Sequence, residues 1–262
     1  MRIGISSACF YPYINTEDTL EIIKETGADI CEVFLEAECE TTEEYCLSLK
    51  EKADKIGIDI YSVHPYSVSF EPFLFDRYER RRLEMERKFR AICRAGEILG
   101  AECYVFHGIR KTPDFPNIDN TAKGMDNLCK IAGEYGIKLA WENVAWCMSC
   151  SPRFLELVRE RMKEDIYFNL DIKQAVRSGY SPESYIDVFK DRIINVHIND
   201  ASKKSTCLLP GQGDIDLKSI VDRVKILNPD VPFIIEVYSE NFTSYKELKI
   251  SKEYMERLEE GE

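Results

Sequence analysis

The chain holds three histidines, and each falls at the end of a short, β-rich apolar run: His64 in "DIYSVH", His107 in "CYVFHG" and His197 in "IINVHIN". Acids interrupt three similar runs, Glu142 in "KLAWENV", Asp171 in "IYFNLDI" and Glu236 in "FIIEVY". Taken singly, each has a structural reading. A strand-terminal aspartate can cap the next helix, and a buried histidine can simply be hydrogen-bonded. Taken together, Glu142, Asp171, His197 and Glu236 would meet at one point if their runs are neighbouring strands. Three carboxylates in a low-dielectric pocket repel one another, and a divalent cation resolves that repulsion. Carboxylate oxygens with one imidazole suit Mn²⁺, Mg²⁺ or Co²⁺ and can also take Zn²⁺ or Fe²⁺. The absence of cysteine from the set argues against a structural zinc.

The elements that must position these side chains can be read from periodicity. Strand-like runs fall at 2–8, 30–36, 59–64, 103–108, 138–144, 166–172, 193–199 and 233–238. Helical patterns lie between them, at about 17–26, 43–56, 76–99, 119–135, 152–163, 182–189, 216–227 and 244–258. Ser151-Pro152 and Ser181-Pro182 read as a helix cap followed by proline at the first helical position. "KIGI", "ILGA" and "EYGI" repeat one signal, a helix ended by glycine and followed by a strand. Eight strands alternating with eight helices imply a closed (β/α)₈ TIM barrel, formed by 1–262 as a single domain. An open doubly wound sheet is the rival, but the chain reads "GISSACFYPY" after its first strand and lacks the glycine-rich phosphate fingerprint. In such a barrel the strands' C-terminal ends carry the active site, and all the residues above lie there.

Composition narrows the class. The net charge of −12 opposes nucleic acid at long range. The cationic cluster at 77–90 is interleaved with glutamates and reads as a solvated helix face. No run is long and apolar enough to span a bilayer, and "MRIGISSACF" lacks the features of a signal peptide, so a cytoplasmic location is expected. Ten cysteines are scattered rather than arranged as a disulfide framework. "CMSC", Cys147 and Cys150, is either half of a redox or zinc motif or a pair of loop thiols. The segment "PYSVSFEPFLF" at 65–75 is too apolar for an open loop. It reads as a lid or wall over the pocket, or else as a contact in a homodimer. In "LLPGQGDIDLKSI" a tight glycine turn should lead into a helix capped by Asp214 or Asp216.

At "WEN" (141–143), "NLDIKQAVRSG" (169–179), "VHINDA" (196–201), "LPGQGDID" (209–216) and "IIEVY" (234–238) the chain resembles the xylose isomerase-like TIM-barrel superfamily. That superfamily includes sugar isomerases and epimerases, inosose and dehydroshikimate dehydratases, and endonuclease IV. The resemblance puts the family's metal on Glu142, Asp171, His197 and Glu236. It implies that Glu142 and Glu236 exchange a proton with a sugar or keto-polyol, through an enediolate stabilised by the metal. His64 and His107 would bind substrate oxygens or orient the ligands. Two positions depart from the ketose epimerases: Gln174 replaces a histidine, and Lys203 replaces a substrate-binding arginine. The further zinc ligands of endonuclease IV are missing, with Gln174 at one place and about Ser205 and Cys207 at the others. A dehydratase acting on a cyclic keto-acid or inosose is the alternative activity. A non-catalytic sugar- or metal-binding barrel is the alternative class.

Overall fold

A computed structural model of the chain describes residues 1–66, 69–113 and 115–260. The strands are β1 (Ile3–Ser6), β2 (Ile30–Leu35), β3 (Asp59–Pro65), β4 (Cys103–Phe106), β5 (Lys138–Glu142), β6 (Tyr167–Asp171), β7 (Ile193–Ile198) and β8 (Phe233–Ile235). Each pairs in parallel with the next, and β8 pairs with β1 to close the barrel. The surrounding helices are α1 (Thr16–Glu25), α2 (Glu43–Ile56), α3 (Glu79–Leu99), α4 (Ile118–Glu134), α5 (Pro152–Arg159), α6 (Ile172–Ser178), α7 (Pro182–Phe189), α8 (Leu217–Leu227) and α9 (Tyr245–Glu260). The TIM barrel expected from the alternating pattern is therefore the fold.

Local chemistry accounts for the element ends. Ser151 accepts from Phe154 N ahead of Pro152 and caps α5. Gly57 ends α2 at φ 70°, a left-handed conformation that would strain any side-chain-bearing residue. Asp216 accepts from Ser219 N and caps α8, one of the two aspartates expected there.

Two boundaries differ from expectation. A helix, α6, starts directly at the end of β6, where no element was foreseen. Asp171 ends the strand and also accepts from Gln174 N at 2.8 Å, so strand and helix share that residue. Past Ile235, the last residue of β8, Glu236 N still reaches the Ile198 carbonyl at 3.4 Å, but Val237 N turns to the Cys9 thiol at 3.5 Å. Glu236 therefore stands just past the strand.

The main core fills the space between barrel and helices, as where Phe168 and Phe189 stack with ring centroids 4.1 Å apart. A separate small cluster, Ile30, Tyr61, Cys103, Ala140, Ile194 and Ile234, comes from six strands and fills the barrel interior towards its N-terminal end. Above that plug the interior turns polar. Glu32, Ser62, Asn169, Asn195 and His197 are all fully buried there. Among the described residues, no helix is long and apolar enough to cross a membrane.

Candidate active site

A cavity of about 460 Å³ opens at the C-terminal ends of the strands. His64, His107, Glu142, Lys173, Gln174 and Glu236 face it, and Tyr11, Phe34, Tyr66, Trp146 and Tyr238 form aromatic walls.

His197 Nδ1 is the centre of the cluster beneath it. Glu142 Oε1 lies 2.8 Å away, Glu236 Oε2 3.4 Å and Asp171 Oδ2 3.5 Å. The four residues anticipated as metal ligands are thus brought to one point. Both His197 Nδ1 and Asp171 Oδ2 are buried with charged neighbours but no well-directed hydrogen bond among the described residues. Buried polar atoms are seldom left so. Glu142, Asp171 and His197 form one group able to hold an ion, and Glu236 shares a second such group with His197, Glu32 and His64, so carboxylates and an imidazole of the kind that fits a divalent cation meet here. Asp171 and His197 lie below the cavity, whereas Glu142 and Glu236 also border it.

The opposite ring nitrogen is held by a residue not anticipated as functional. His197 Nε2 lies 3.0 Å from Glu32 Oε2, and Glu32 also accepts from Ser62 Oγ at 2.7 Å and Ser6 Oγ at 2.9 Å. A carboxylate on Nε2 fixes the ring and leaves Nδ1 free for the cluster. Burial opposes the Glu32 charge, but His197 and His64 outweigh it and hold the carboxyl down at about 2. Burial likewise opposes the charges of Glu142 and Glu236, yet both stay well below the usual carboxylate range. His107 and His197 do this for Glu142, and Lys173 and His197 for Glu236. For Asp171 burial wins, and its carboxyl is raised despite Lys173.

His64 and His107 meet through their Nε2 atoms at 2.9 Å, and His107 Nε2 lies 2.8 Å from Glu142 Oε2. His64 Nδ1 faces Glu236 Oε1 at 3.4 Å and Glu32 Oε1 at 3.5 Å. Burial works against a charged His64, but these two carboxylates raise it to about 10. Asn143, beside Glu142, donates to the Asp171 carbonyl and accepts from Asp171 N, both at 2.8 Å, and so ties the ends of β5 and β6. Asn169 Nδ2 donates to Glu142 Oε1 at 2.8 Å. Gln174 faces the cavity with its Oε1 taken by Ala145 N at 3.1 Å.

Lys203 does not join them. It is exposed on the loop after β7 and does not border the cavity. The cation present is Lys173, which donates to Glu236 Oε2 at 2.6 Å. Sequence reasoning passed over both Lys173 and Glu32. Glu32 carries the signal that marks Glu142, an acid inside an apolar strand. Lys173 lies inside the "NLDIKQAVRSG" motif.

The 65–75 segment contributes to the cavity wall at its start only. Pro65 and Tyr66 border the cavity, but Glu71–Phe75 forms a short 3₁₀ turn that braces β4 from outside. The buried Glu71 carboxylate accepts from Tyr104 Oη at 2.8 Å, His107 N at 2.8 Å and Gly108 N at 3.0 Å. Ser67 and Val68 lie outside the described residues. Tyr11–Tyr13 and Tyr238–Glu240 line the cavity as well. Cys147 and Cys150 are buried free thiols, and among the described residues neither belongs to a group that could hold a metal. Burial raises the Cys147 thiol far above its ordinary range.

The family profile described as "Xylose isomerase-like TIM barrel" matches residues 20–260. The uncharacterized protein MJ1311 of Methanocaldococcus jannaschii is 26% identical, over 99% of this chain and 91% of its own length. A D-tagatose 3-epimerase-like protein superposes with a TM-score of 0.82 at 22% identity, covering 100% of this chain and 99% of that one. The IOLI protein, solved with a zinc atom, gives 0.79 at 20% identity, covering 98% of both chains. At such identities the structural likeness is one of fold.

Proposed function

The chain belongs to the xylose isomerase-like TIM-barrel family, and on that premise we propose that it is a divalent-metal-dependent isomerase or epimerase of sugars or related keto-polyols. One observation carries the reading. Glu142 and Glu236 both border the cavity, and both converge on His197 Nδ1 with Asp171 beneath. Glu142, Asp171, His197 and Glu236 would hold the ion, which when bound supplies Lewis-acid stabilisation of charge developing on a substrate oxygen. The oxygen-rich set suits Mn²⁺, Mg²⁺ or Co²⁺, and the zinc atom in the IOLI structure keeps Zn²⁺ among the candidates.

The chain's own residues would do the rest. Glu142 and Glu236 are held as carboxylates, the state a base requires, and they come from β5 and from the end of β8, on either side of β6 and β7 in the barrel order. One carboxylate takes a proton from the carbon next to a carbonyl; the other, once it has taken up a proton from solvent, delivers that proton to the enediolate. His64 and His107 bind substrate oxygens. With its carbonyl occupied, Gln174 presents its amide NH₂ to a hydroxyl. The aromatic walls exclude water from the reacting carbon.

The test is proton exchange. Protein stripped by chelator and reloaded with Mn²⁺ or Co²⁺ is incubated with a panel of keto-polyols in D₂O. NMR should show deuterium entering next to the carbonyl only with metal present, and Glu236→Gln should slow it by about 10²–10⁴-fold. A Glu236→Gln protein that kept both metal and turnover would refute the two-glutamate scheme. Failure of any divalent ion to bind would refute the site. An ultraviolet-absorbing enone among the products would identify a dehydratase instead.

A further inference from the structure

Lys173 stands inside the carboxylate cluster, in the first turn of α6. It is 3% exposed. Its ammonium lies 2.6 Å from Glu236 Oε2 and 3.7 Å from Asp171 Oδ2. Those two oxygens are the very ones that approach His197 Nδ1, at 3.4 and 3.5 Å. An ion bound by His197, Asp171 and Glu236 would draw on one oxygen that the lysine hydrogen-bonds, Glu236 Oε2, and another within its ion-pair range, Asp171 Oδ2. We propose that Lys173 is a resident cation that competes with the divalent ion for Glu236 and Asp171, lowering the site's metal affinity while keeping the metal-free pocket assembled.

The inference rests on the metal reading of the site. Its physical basis is charge balance. Glu32, Glu142, Asp171 and Glu236 are buried together, and among the described residues bordering the cavity Lys173 is the only lysine or arginine. Without a counter-charge, such a cluster pays a heavy desolvation and repulsion cost. Lys173 supplies part of that counter-charge from within the chain, beside the imidazoles of His64 and His197. The arrangement also disfavours the divalent ion twice. The ammonium occupies the lone pairs of Glu236 Oε2, and two like charges a few ångströms apart repel in a water-poor pocket. The lysine has an alternative resting place, because its ammonium already lies 4.8 Å from the Tyr238 ring centroid at the cavity wall. Metal binding would push the ammonium off the carboxylates and towards that ring, where it meets the cavity.

Calorimetric titration of Mn²⁺ into the chelator-stripped full chain tests this directly. Wild type, Lys173→Met and Lys173→Gln are compared, and the melting temperature of each is read with and without metal. Both variants should bind Mn²⁺ about tenfold tighter or more. Their metal-free forms should melt lower than wild type, and Mn²⁺ should raise their Tm by more than it raises the wild-type value. A variant that folds only with metal is titrated against a fluorescent chelator, and the same tightening applies. Wild type that binds Mn²⁺ beside variants that bind no tighter would overturn the competition and leave the metal site standing. Absence of Mn²⁺ binding in all three proteins would overturn both.

Discussion

Glu32 and Glu142 look alike in the sequence, each an acid inside an apolar strand, yet they occupy different depths. Glu142 ends β5 and borders the cavity, while Glu32 sits in mid-strand beneath it, with β2 shifting register against β3 at Cys31/Glu32. Its carboxylate orients the imidazole that the other three acids surround. Glu32→Gln should therefore keep the barrel but weaken Mn²⁺ binding by about 10–100-fold, the usual effect of losing a partner behind a metal ligand. Unchanged affinity in a variant with a native circular dichroism spectrum would sink that role. The four proposed ligands could be read from the sequence because each lies at or next to a strand's C-terminal end, where strand position alone implies convergence. Glu32 could not be assigned by that logic, since its role depends on which way a mid-strand side chain points. Both faces of a barrel strand are buried, so no polar alternation betrays the direction. Glu71 was hidden for another reason: its three donors come from residues 33 to 37 positions away. Glu71→Leu would strand those donors and should cost about 3 kcal/mol or more in urea unfolding. A loss under about 1 kcal/mol would mean the turn does not brace β4.

At the scale of elements, the helix-ending glycines and the Ser-Pro caps were legible because their signals are local. α6 was not, because its cap, Asp171, is also the last residue of a strand and its two turns are too short for a periodic pattern. The loop between β7 and α8 shows how a motif can mislead about which residue matters. Asp214 and Asp216 drew attention as caps, but the organising residue is Asp200. Its carboxylate accepts from Ala201 N at 2.8 Å, Gly213 N at 2.9 Å, Gly211 N at 3.1 Å and Ile215 N at 3.2 Å. Gly213 must lack a side chain here, because a Cβ would collide with the Asp200 carboxylate and the Ala201 carbonyl. Gly213→Ala should therefore destabilise the fold by about 1–3 kcal/mol. Thermal unfolding checks this, and a melting temperature equal to wild type would show that the loop adjusts freely.

Across the whole molecule, the cluster ties folding to protons. In the metal-free protein, Glu32 is held at about 2 against an ordinary 4.5, so its contribution is present above about pH 4.5 and is lost as the pH falls towards 2. His64 is raised to about 10 from an ordinary 6.5. Its contribution is complete below about pH 6.5 and is lost as the pH rises towards 10. Between about pH 4.5 and 6.5 the contributions of both groups are complete together. A divalent ion changes the alkaline limb, because it binds deprotonated ligands and releases protons on binding. Calorimetric melting across the pH range should show the metal-free Tm falling above about pH 6.5, while the increment given by Mn²⁺ grows over the same interval. A metal-free Tm that climbed through that interval would contradict the assignment of a charged His64 between Glu32 and Glu236. A metal increment independent of pH would mean that the ion does not take the place of protons in the cluster.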